Sequence, residues 1–293
     1  MKNYLLLGFL TLAASFTPIF AKLTVSEISP VSLGFLRFGT ATVLFYITLR
    51  IRKQNLIFER KDYPKLIILG LLCIPLNQYF FLTGVKMSFA SHSGILYSLN
   101  PVIAYLVAIM KKNEKFYVSK IIAISLTVIG IFFVFYEALT KTTPGDNILW
   151  GDFLLIFAVI SFSLYISLGK EFIDRYGPLK VTTLVFIAGS ILNIPFFISD
   201  LPNLTFSDLS ISGIIGFFYL AIVISFFAYF IWYYSLKTIQ ISMLTTVSNL
   251  SPLLTVLFSI IFLSEKISFF FIIGGFITII GVLIMQRVSI EFN

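Results

Sequence analysis

The sequence is short of charge, of cysteine and of histidine, and each shortage excludes a class of protein. Only 12% of its 293 residues are charged, against about 25% in soluble domains. With 58% hydrophobic residues, the chain has too little polar surface to cover a soluble core. One cysteine, Cys73, and one histidine, His92, form neither an internal disulfide nor a cluster of metal ligands. We expect an integral membrane protein without metal or cofactor.

Catalytic and nucleic-acid-binding signatures are missing as well. The chain has no HExxH, no GxSxG and no acidic cluster, so a lipid-modifying enzyme lacks its acid, base, nucleophile or metal. No ring or repeat of charges marks a channel filter. The net charge of +8 lies in short gaps between apolar runs, a membrane pattern rather than a nucleic-acid patch.

Ten apolar stretches approach the twenty or so residues that a membrane helix needs. The first has a basic start and resembles a signal peptide, but its length and Pro18 favour a retained helix, with cleavage as the alternative. The chain is therefore predicted to be an all-α integral membrane protein. The predicted spans are 4–22, 31–49, 65–84, 92–110, 119–136, 151–169, 181–199, 211–236, 242–263 and 268–287.

The loop charges predict the orientation. With a cytoplasmic N-terminus, sixteen Lys and Arg residues fall in inside segments and four in outside segments. Basic residues concentrate on the cytoplasmic side of membrane proteins. We therefore predict that both termini are cytoplasmic and that the protein lies in the inner (cytoplasmic) membrane of the cell.

A stretch of the first half recurs in the second half. "SLNPVIAYLVAIMKKNEKF", from Ser98, aligns with "NLSPLLTVLFSIIFLSEKI", from Asn249, at an offset of 151 residues. Eleven of the 33 positions from Ser98 to Gly130 are identical. Five spans per copy place the second copy in the membrane upside down, as in many secondary transporters. We predict two inverted five-helix repeats, 1–136 and 151–293, joined by an external loop, 137–150.

These repeated residues resemble the EamA-domain branch of the drug/metabolite transporter superfamily. The resemblance rests on "SPVSLGFLRFGTATVLF", on "FFLTGVKMSFASHSGILYSLNPVIAYLVAIMKKNEKF" and on the matching second-half stretch "YYSLKTIQISMLTTVSNLSPLLTVLFSIIFLSEKI". It implies ten helices, cytoplasmic ends and a cavity lined mainly by spans 1, 3, 4, 6, 8 and 9. Lysine follows the glutamate in both halves, where arginine is commoner in the family. The resemblance does not specify the substrate.

Amides and aromatic residues within the spans are the candidates for substrate binding. Amide side chains in hydrocarbon need partners and tend to face the bundle interior. The aromatic residues near the end of span 8 also fit an interfacial belt. The candidate substrate-binding residues are Asn77, Gln78, Tyr97, Asn100, Tyr229, Trp232 and Asn249.

Four further residues are assigned gating or structural roles. Pro101 and Pro252 break helical hydrogen bonds, and neighbouring polar groups can satisfy the freed carbonyls. Arg37, within span 2, fits a structural or gating role better than direct substrate contact. His92 is interpreted as an interfacial histidine in a polar turn, although it can titrate near neutral pH.

The combined prediction is a secondary transporter of small organic metabolites, most plausibly an exporter of amino acids or their derivatives. An importer or exchanger of nucleotide-like compounds or amines remains the alternative, ahead of a channel or a membrane enzyme. The expected partners are a small-molecule substrate and the lipid bilayer, with no nucleic acid. The protein is expected to be a monomer or a weak homodimer.

Overall fold

The structure is a computed structural model that describes residues 2–112, 117–141, 147–204, 209–232 and 250–291. These residues form helices and short connections, without a strand in the described ranges. Spans 1 and 2 are Lys2–Val25 and Pro30–Ile51; span 3 is Tyr63–Leu71, Leu72–Leu76 and Asn77–Met87; span 4 is Ala90–Tyr97 and Asn100–Met110; span 5 is Val118–Lys141; span 6 is Ile148–Tyr176; span 7 is Pro178–Asp200; span 8 is Ile211–Phe218 and Tyr219–Ala228; span 9 is Leu250–Leu263; span 10 is Phe269–Glu291.

The helices have the length and composition of membrane spans. Nine of those described are long and apolar enough to cross a bilayer, and Leu250–Leu263 is a shorter apolar helix. Large side chains such as Phe132, Phe276 and Leu139 point outward and are more than half exposed, which fits lipid rather than water as the surrounding medium. The prediction of an all-helical multi-span membrane protein is confirmed.

Three spans depart from the uninterrupted helices that their hydropathy predicts. Span 3 contains a π-helical segment, Leu72–Leu76, which includes Pro75, and span 8 contains a longer one, Tyr219–Ala228. Span 4 stops at Tyr97 and restarts at Asn100, just before Pro101. Hydropathy reports only the burial of apolar surface, so it does not detect these changes of backbone pitch.

The packing between spans keeps the same pattern when each span number is shifted by five. Span 1 packs on spans 8 and 9, as span 6 packs on spans 3 and 4. Span 2 packs on span 8, as span 7 packs on span 3, and span 5 packs on span 10. The two halves therefore interlock rather than lie side by side.

Spans 5 and 10 run antiparallel and make reciprocal contacts. A Cβ added to Gly130 would lie 2.3 Å from Thr278 Oγ1, and one added to Gly281 would lie 2.4 Å from Thr127 Oγ1. Gly130 and Gly281, like Thr127 and Thr278, are 151 residues apart in the chain. The sequence repeat thus coincides with a pair of equivalent contacts.

Polar contacts gather at the two ends of the bundle. At one end, here called the Lys22 end, Lys22 Nζ donates to the carbonyls of Val85 and Ser88 at 2.8 and 2.5 Å. At the opposite end, the Arg175 end, Arg175 pairs with Glu59 and with Asp62, the latter at 3.0 Å. The candidate site residues that the structure describes lie between these two layers.

Candidate functional site

A cavity of about 480 Å³ occupies the middle of the bundle. Residues of spans 1, 2, 3, 4, 6, 8, 9 and 10 line it, so both halves contribute to one wall. The lining is mostly apolar, with a few amides and hydroxyls and one charged side chain, Arg37, among the described lining residues. An apolar pocket with a few convergent polar groups is typical of a small-molecule site.

Two adjacent amides of span 3 connect its neighbours through hydrogen bonds. Gln78 Nε2 donates to Asn77 Oδ1 at 2.5 Å. Asn77 Nδ2 donates to Tyr97 Oη at 3.1 Å and to the Ala158 carbonyl at 2.8 Å. These hydrogen bonds connect span 3 to spans 4 and 6, and they give both amides partners within the bundle. Asn77, Gln78 and Tyr97, all predicted candidates, line the same cavity.

Arg37 enters the cavity wall from span 2. Its Nη1 donates to Gln78 Oε1 at 3.1 Å, and its Nε donates to the Leu220 carbonyl at 3.1 Å and to Ser225 Oγ at 2.6 Å. The Leu220 carbonyl and Ser225 belong to the π-helical segment of span 8, whose wider turn places them there. The residue is 3% exposed and lines the cavity, so it joins spans 2, 3 and 8 beside the predicted binding residues.

The interruption of span 4 forms another part of the wall. Asn100 Nδ2 donates to the Tyr97 carbonyl at 2.8 Å, and Asn100 Oδ1 accepts from Ser163 Oγ at 2.6 Å. The amide therefore satisfies a carbonyl at the break and holds span 6 against it, as expected where helices are broken beside a cavity. Pro101 follows in the lining.

Spans 1 and 9 meet along a row of hydroxyls. Thr255 Oγ1 donates to the Ser15 carbonyl at 3.1 Å, and Ser15 Oγ lies 3.2 Å from Ser251 Oγ. Pro252, a predicted gating residue, lines the cavity beside Ser251. The predicted candidate Asn249 lies outside the residues that the structure describes.

The two aromatic candidates of span 8 complete the wall. Tyr229 and Trp232 both line the cavity, and the Tyr229 ring packs edge-on against Phe186 at a centroid distance of 5.3 Å. Their position favours the cavity interpretation of these residues over an interfacial belt. Six of the seven predicted binding residues thus surround one space.

The Lys22 end is closed by two charged groups that satisfy helix termini. Lys22 binds the last carbonyls of Asn77–Met87. Glu265 Oε1 and Oε2 accept from the Ala90 and Ser91 backbone N–H groups at 2.7 and 3.1 Å. A cation at a helix C-terminus and an anion at an N-terminus are the favourable arrangements.

His92 differs from its predicted setting. It lies in the helix Ala90–Tyr97 rather than in a turn, and it is 1% exposed. Its Nδ1 lies 2.8 Å from Asp152 Oδ2, and its Nε2 lies 3.8 Å from Glu137 Oε2. Phe271 stacks on the ring at 5.1 Å. His92 therefore lies buried within a helix rather than in the predicted polar turn, and spans 5 and 6 bring two distant carboxylates to its ring. Its gating or structural role stays a prediction.

Sequence reasoning missed this charge cluster and the place of Arg37 in the cavity wall. The carboxylates are 45 and 60 residues from His92 in sequence, so no local pattern connects them. Arg37 did carry a signal, because an ionisable residue within an apolar span is by default a candidate for function.

Comparisons with known proteins identify a family of transporters. The model of the EamA-like transporter family matches residues 1–136 and 149–287. The chain belongs to the EamA-like transporter family.

Two of its relatives are similar along nearly their whole length. An uncharacterized transporter of Archaeoglobus fulgidus is 28% identical over 283 residues, covering 96% of both chains. The uncharacterized transporter YyaM of Bacillus subtilis is 28% identical over 285 residues, covering 95% of this chain and 91% of its own. A crystal structure whose description names no function matches with a TM-score of 0.67 at 15% identity, over 100% of this chain and 99% of its own, and it supports the fold alone.

Proposed function

We propose that this transporter moves a small amphipathic metabolite, an amino acid or a derivative of one, out of the cell by alternating access. The observation that carries the proposal is the central cavity, whose wall is built from both halves of the chain. Its amides, hydroxyls and aromatic faces can hold the polar ends and the apolar side chain of such a solute together.

The interlocked packing supports the alternating-access part. The pairing of spans repeats when their numbers are shifted by five, and the Gly130–Thr278 and Gly281–Thr127 contacts are equivalent. Two such halves, related as inverted repeats, can exchange their conformations and open the cavity to either side. The contacts of Lys22 and Glu265 correspond to a state closed at the Lys22 end, the side predicted to face outward.

Coupling to protons is assigned to His92. No Asp or Glu occurs among the cavity-lining residues described here, so a carboxylate relay through the cavity lacks support. His92 instead lies between Asp152 and Glu137, with Phe89 and Phe271 against its ring. A proton taken up there changes the net charge of a group that joins spans 4, 5 and 6, and this gives transport a modest dependence on pH.

The test is counterflow of labelled amino acids in reconstituted vesicles, with and without a pH gradient. We expect saturable flux, a modest response to the gradient, and loss of that response in His92→Gln with counterflow retained. Lys61→Gln, which changes a side chain 71% exposed at the Arg175 end, serves as the control. It should leave the counterflow and its response to the pH gradient unchanged.

Three outcomes would contradict parts of this proposal. Linear flux would indicate a channel. Saturable flux of amines or nucleotide-like compounds, with none for any amino acid, would retain the transporter and reject the substrate class. A response to the gradient that is unchanged in His92→Gln would remove His92 from coupling.

A further inference from the structure

Arg37 is a buried cation whose described partners are all neutral. Its hydrogen bonds go to the Leu220 carbonyl, to Ser225 Oγ and to Gln78 Oε1. No carboxylate pairs with it among the described residues, and its Nη2 has no hydrogen-bond partner among them. A guanidinium offers five N–H donors, so the side chain retains donors for a further group.

The charge of Arg37 is the unusual feature of the cavity. Removing a cation from water is costly unless a counter-charge and hydrogen bonds replace the solvent. Ionisable side chains within membrane spans pair with one another or with backbone carbonyls. Arg37 has the Leu220 carbonyl and two neutral side-chain oxygens, which supply dipoles but no counter-charge. The remaining lining residues of the described structure are uncharged. An anion that enters the cavity would therefore find one cation and no competing negative group on that wall.

We propose that Arg37 binds a single negatively charged group of the transported solute and that this group is a carboxylate. This inference replaces the structural or gating role that the sequence suggested for Arg37, because the side chain lines the cavity. It rests on the proposed function and narrows its substrate class. The planar guanidinium matches a carboxylate in geometry and can bind it with two N–H groups. A phosphate monoester carries about −1.5 to −2 at neutral pH, which exceeds the charge that one arginine neutralises. The neutral, largely apolar lining accommodates the rest of the solute.

The same geometry disfavours amines as substrates. An ammonium in this cavity would meet the charge of Arg37 and no described carboxylate. A zwitterion avoids this repulsion because its carboxylate lies between Arg37 and its own ammonium. The ammonium can then rest against neutral oxygens or an aromatic face such as that of Trp232.

The chain offers an optical test that needs no known substrate. It has two tryptophans; Trp150 is 66% exposed and Trp232 lines the cavity. In the Trp150→Phe protein, quenching of Trp232 is measured with iodide, caesium and neutral acrylamide. With each constant divided by that for free N-acetyltryptophanamide, iodide should quench better than caesium. Arg37→Gln should lower the iodide constant about twofold or more while leaving the acrylamide constant unchanged.

Matched variants separate the charge of Arg37 from its structural bonds. Arg37→Lys should keep the iodide preference. Arg50→Gln removes an exposed charge at the end of the same span. It should leave the quenching constants for iodide, caesium and acrylamide unchanged. Equal normalised constants for iodide and caesium in the starting protein, or a normalised iodide preference that survives Arg37→Gln, would overturn the assignment whatever the transport assay gives.

A second measurement uses the protein with Arg37 intact, so it holds even if Arg37→Gln does not fold. The readout is how well a solute protects Trp232 from quenching by iodide. The solutes carry the side chain of leucine, methionine or phenylalanine. Each is tested as the amino acid, the amino amide, the amine, the desamino carboxylate and the phosphate ester. At least one carboxylate should bind roughly ten- to a hundredfold more tightly than its amide and amine. Tighter binding of the amines or phosphate esters would reject the carboxylate.

The two failures are distinguishable. Saturable transport of solutes that lack a carboxylate would leave the transporter function and overturn the role of Arg37. An Arg37-dependent preference for carboxylates without any flux would support the anion site and reject the proposed transport.

Discussion

Gly130 and Gly281 show how single residues set the distance between two spans. A Cβ on Gly130 would lie within 2.6 Å of three atoms of span 10, two of them backbone. Backbone cannot move aside as a flexible side chain can. Small residues at such contacts allow helices to approach closely in a membrane, where packing replaces the hydrophobic effect as the driving force.

Replacing Gly130 with alanine should destabilise the protein. Overpacking a close contact costs typically about 1–3 kcal/mol, more than the gain of about 1 kcal/mol in helix propensity. Gly39→Ala is the matched control, because a Cβ there meets nothing within 4 Å, and it should leave the Tm unchanged or raise it. Thermal unfolding in detergent provides the measurement. Equal Tm values for the two variants would show that spans 5 and 10 can separate without loss.

At the scale of elements, charged residues from neighbouring spans hold the interrupted helices in place. The helix Ala90–Tyr97 begins at the carboxylate of Glu265, and Asn77–Met87 ends at the ammonium of Lys22. Both contacts lie at the Lys22 end. The Glu265 contact connects span 4 to the segment after span 9, across the boundary between the two halves, so it must break if that end opens. The Lys22 contact joins spans 1 and 3 within the first half.

Loss of the Glu265 carboxylate should open the Lys22 end. Hydrogen bonds to a charged acceptor contribute about 1.5–3 kcal/mol, so Glu265→Gln should raise the open population roughly tenfold or more if the closed state depends on them. Ser93→Cys, buried in the cavity wall, reports opening through its reaction with an impermeant maleimide supplied from that side, in a Cys73→Ala background.

Glu27 provides a matched control for this measurement. It is an acid at the same end, but it binds the Ser210 N–H at 2.8 Å, at the start of span 8. Glu27→Gln should leave the reaction of Ser93→Cys slow. Equal acceleration in both variants would indicate general loosening of that end rather than release of the helix Ala90–Tyr97.

The sequence predicted elements far better than it predicted contacts between them. Hydropathy located the spans, because a membrane helix must be apolar along about twenty residues. Intramembrane amides indicated the cavity, because such groups need partners. The surroundings of His92 depend on Glu137 and Asp152, which only the packing of three spans brings together. The π-helical segments likewise depend on tertiary context that hydropathy does not contain.

At the scale of the whole molecule, the structure separates two layers of loops, and the basic residues predict which layer is cytoplasmic. At the Arg175 end, Arg175 pairs with Glu59, and Lys180 donates to Asn55. Lys22, Asp200 and Glu265 lie with the loops of the opposite end. The segments 50–65 and 170–180, assigned to the inside by charge, lie together at the Arg175 end, so contacts and charge agree there.

We predict that the Arg175 end faces the cytoplasm. In a Cys73→Ala background, Asn203→Cys should react with an impermeant maleimide in intact cells, because Asn203 is exposed at the Lys22 end. Lys61→Cys, at the Arg175 end, should react only after the cells are permeabilised. A permeant maleimide must label both variants, which shows that each thiol is accessible. The reverse labelling pattern would show that the protein has the opposite orientation in the membrane. Partial labelling of both variants in intact cells would indicate a mixture of orientations. The sixteen-to-four division of basic residues makes a mixture unfavourable, because inversion would require most of those charges to cross the membrane.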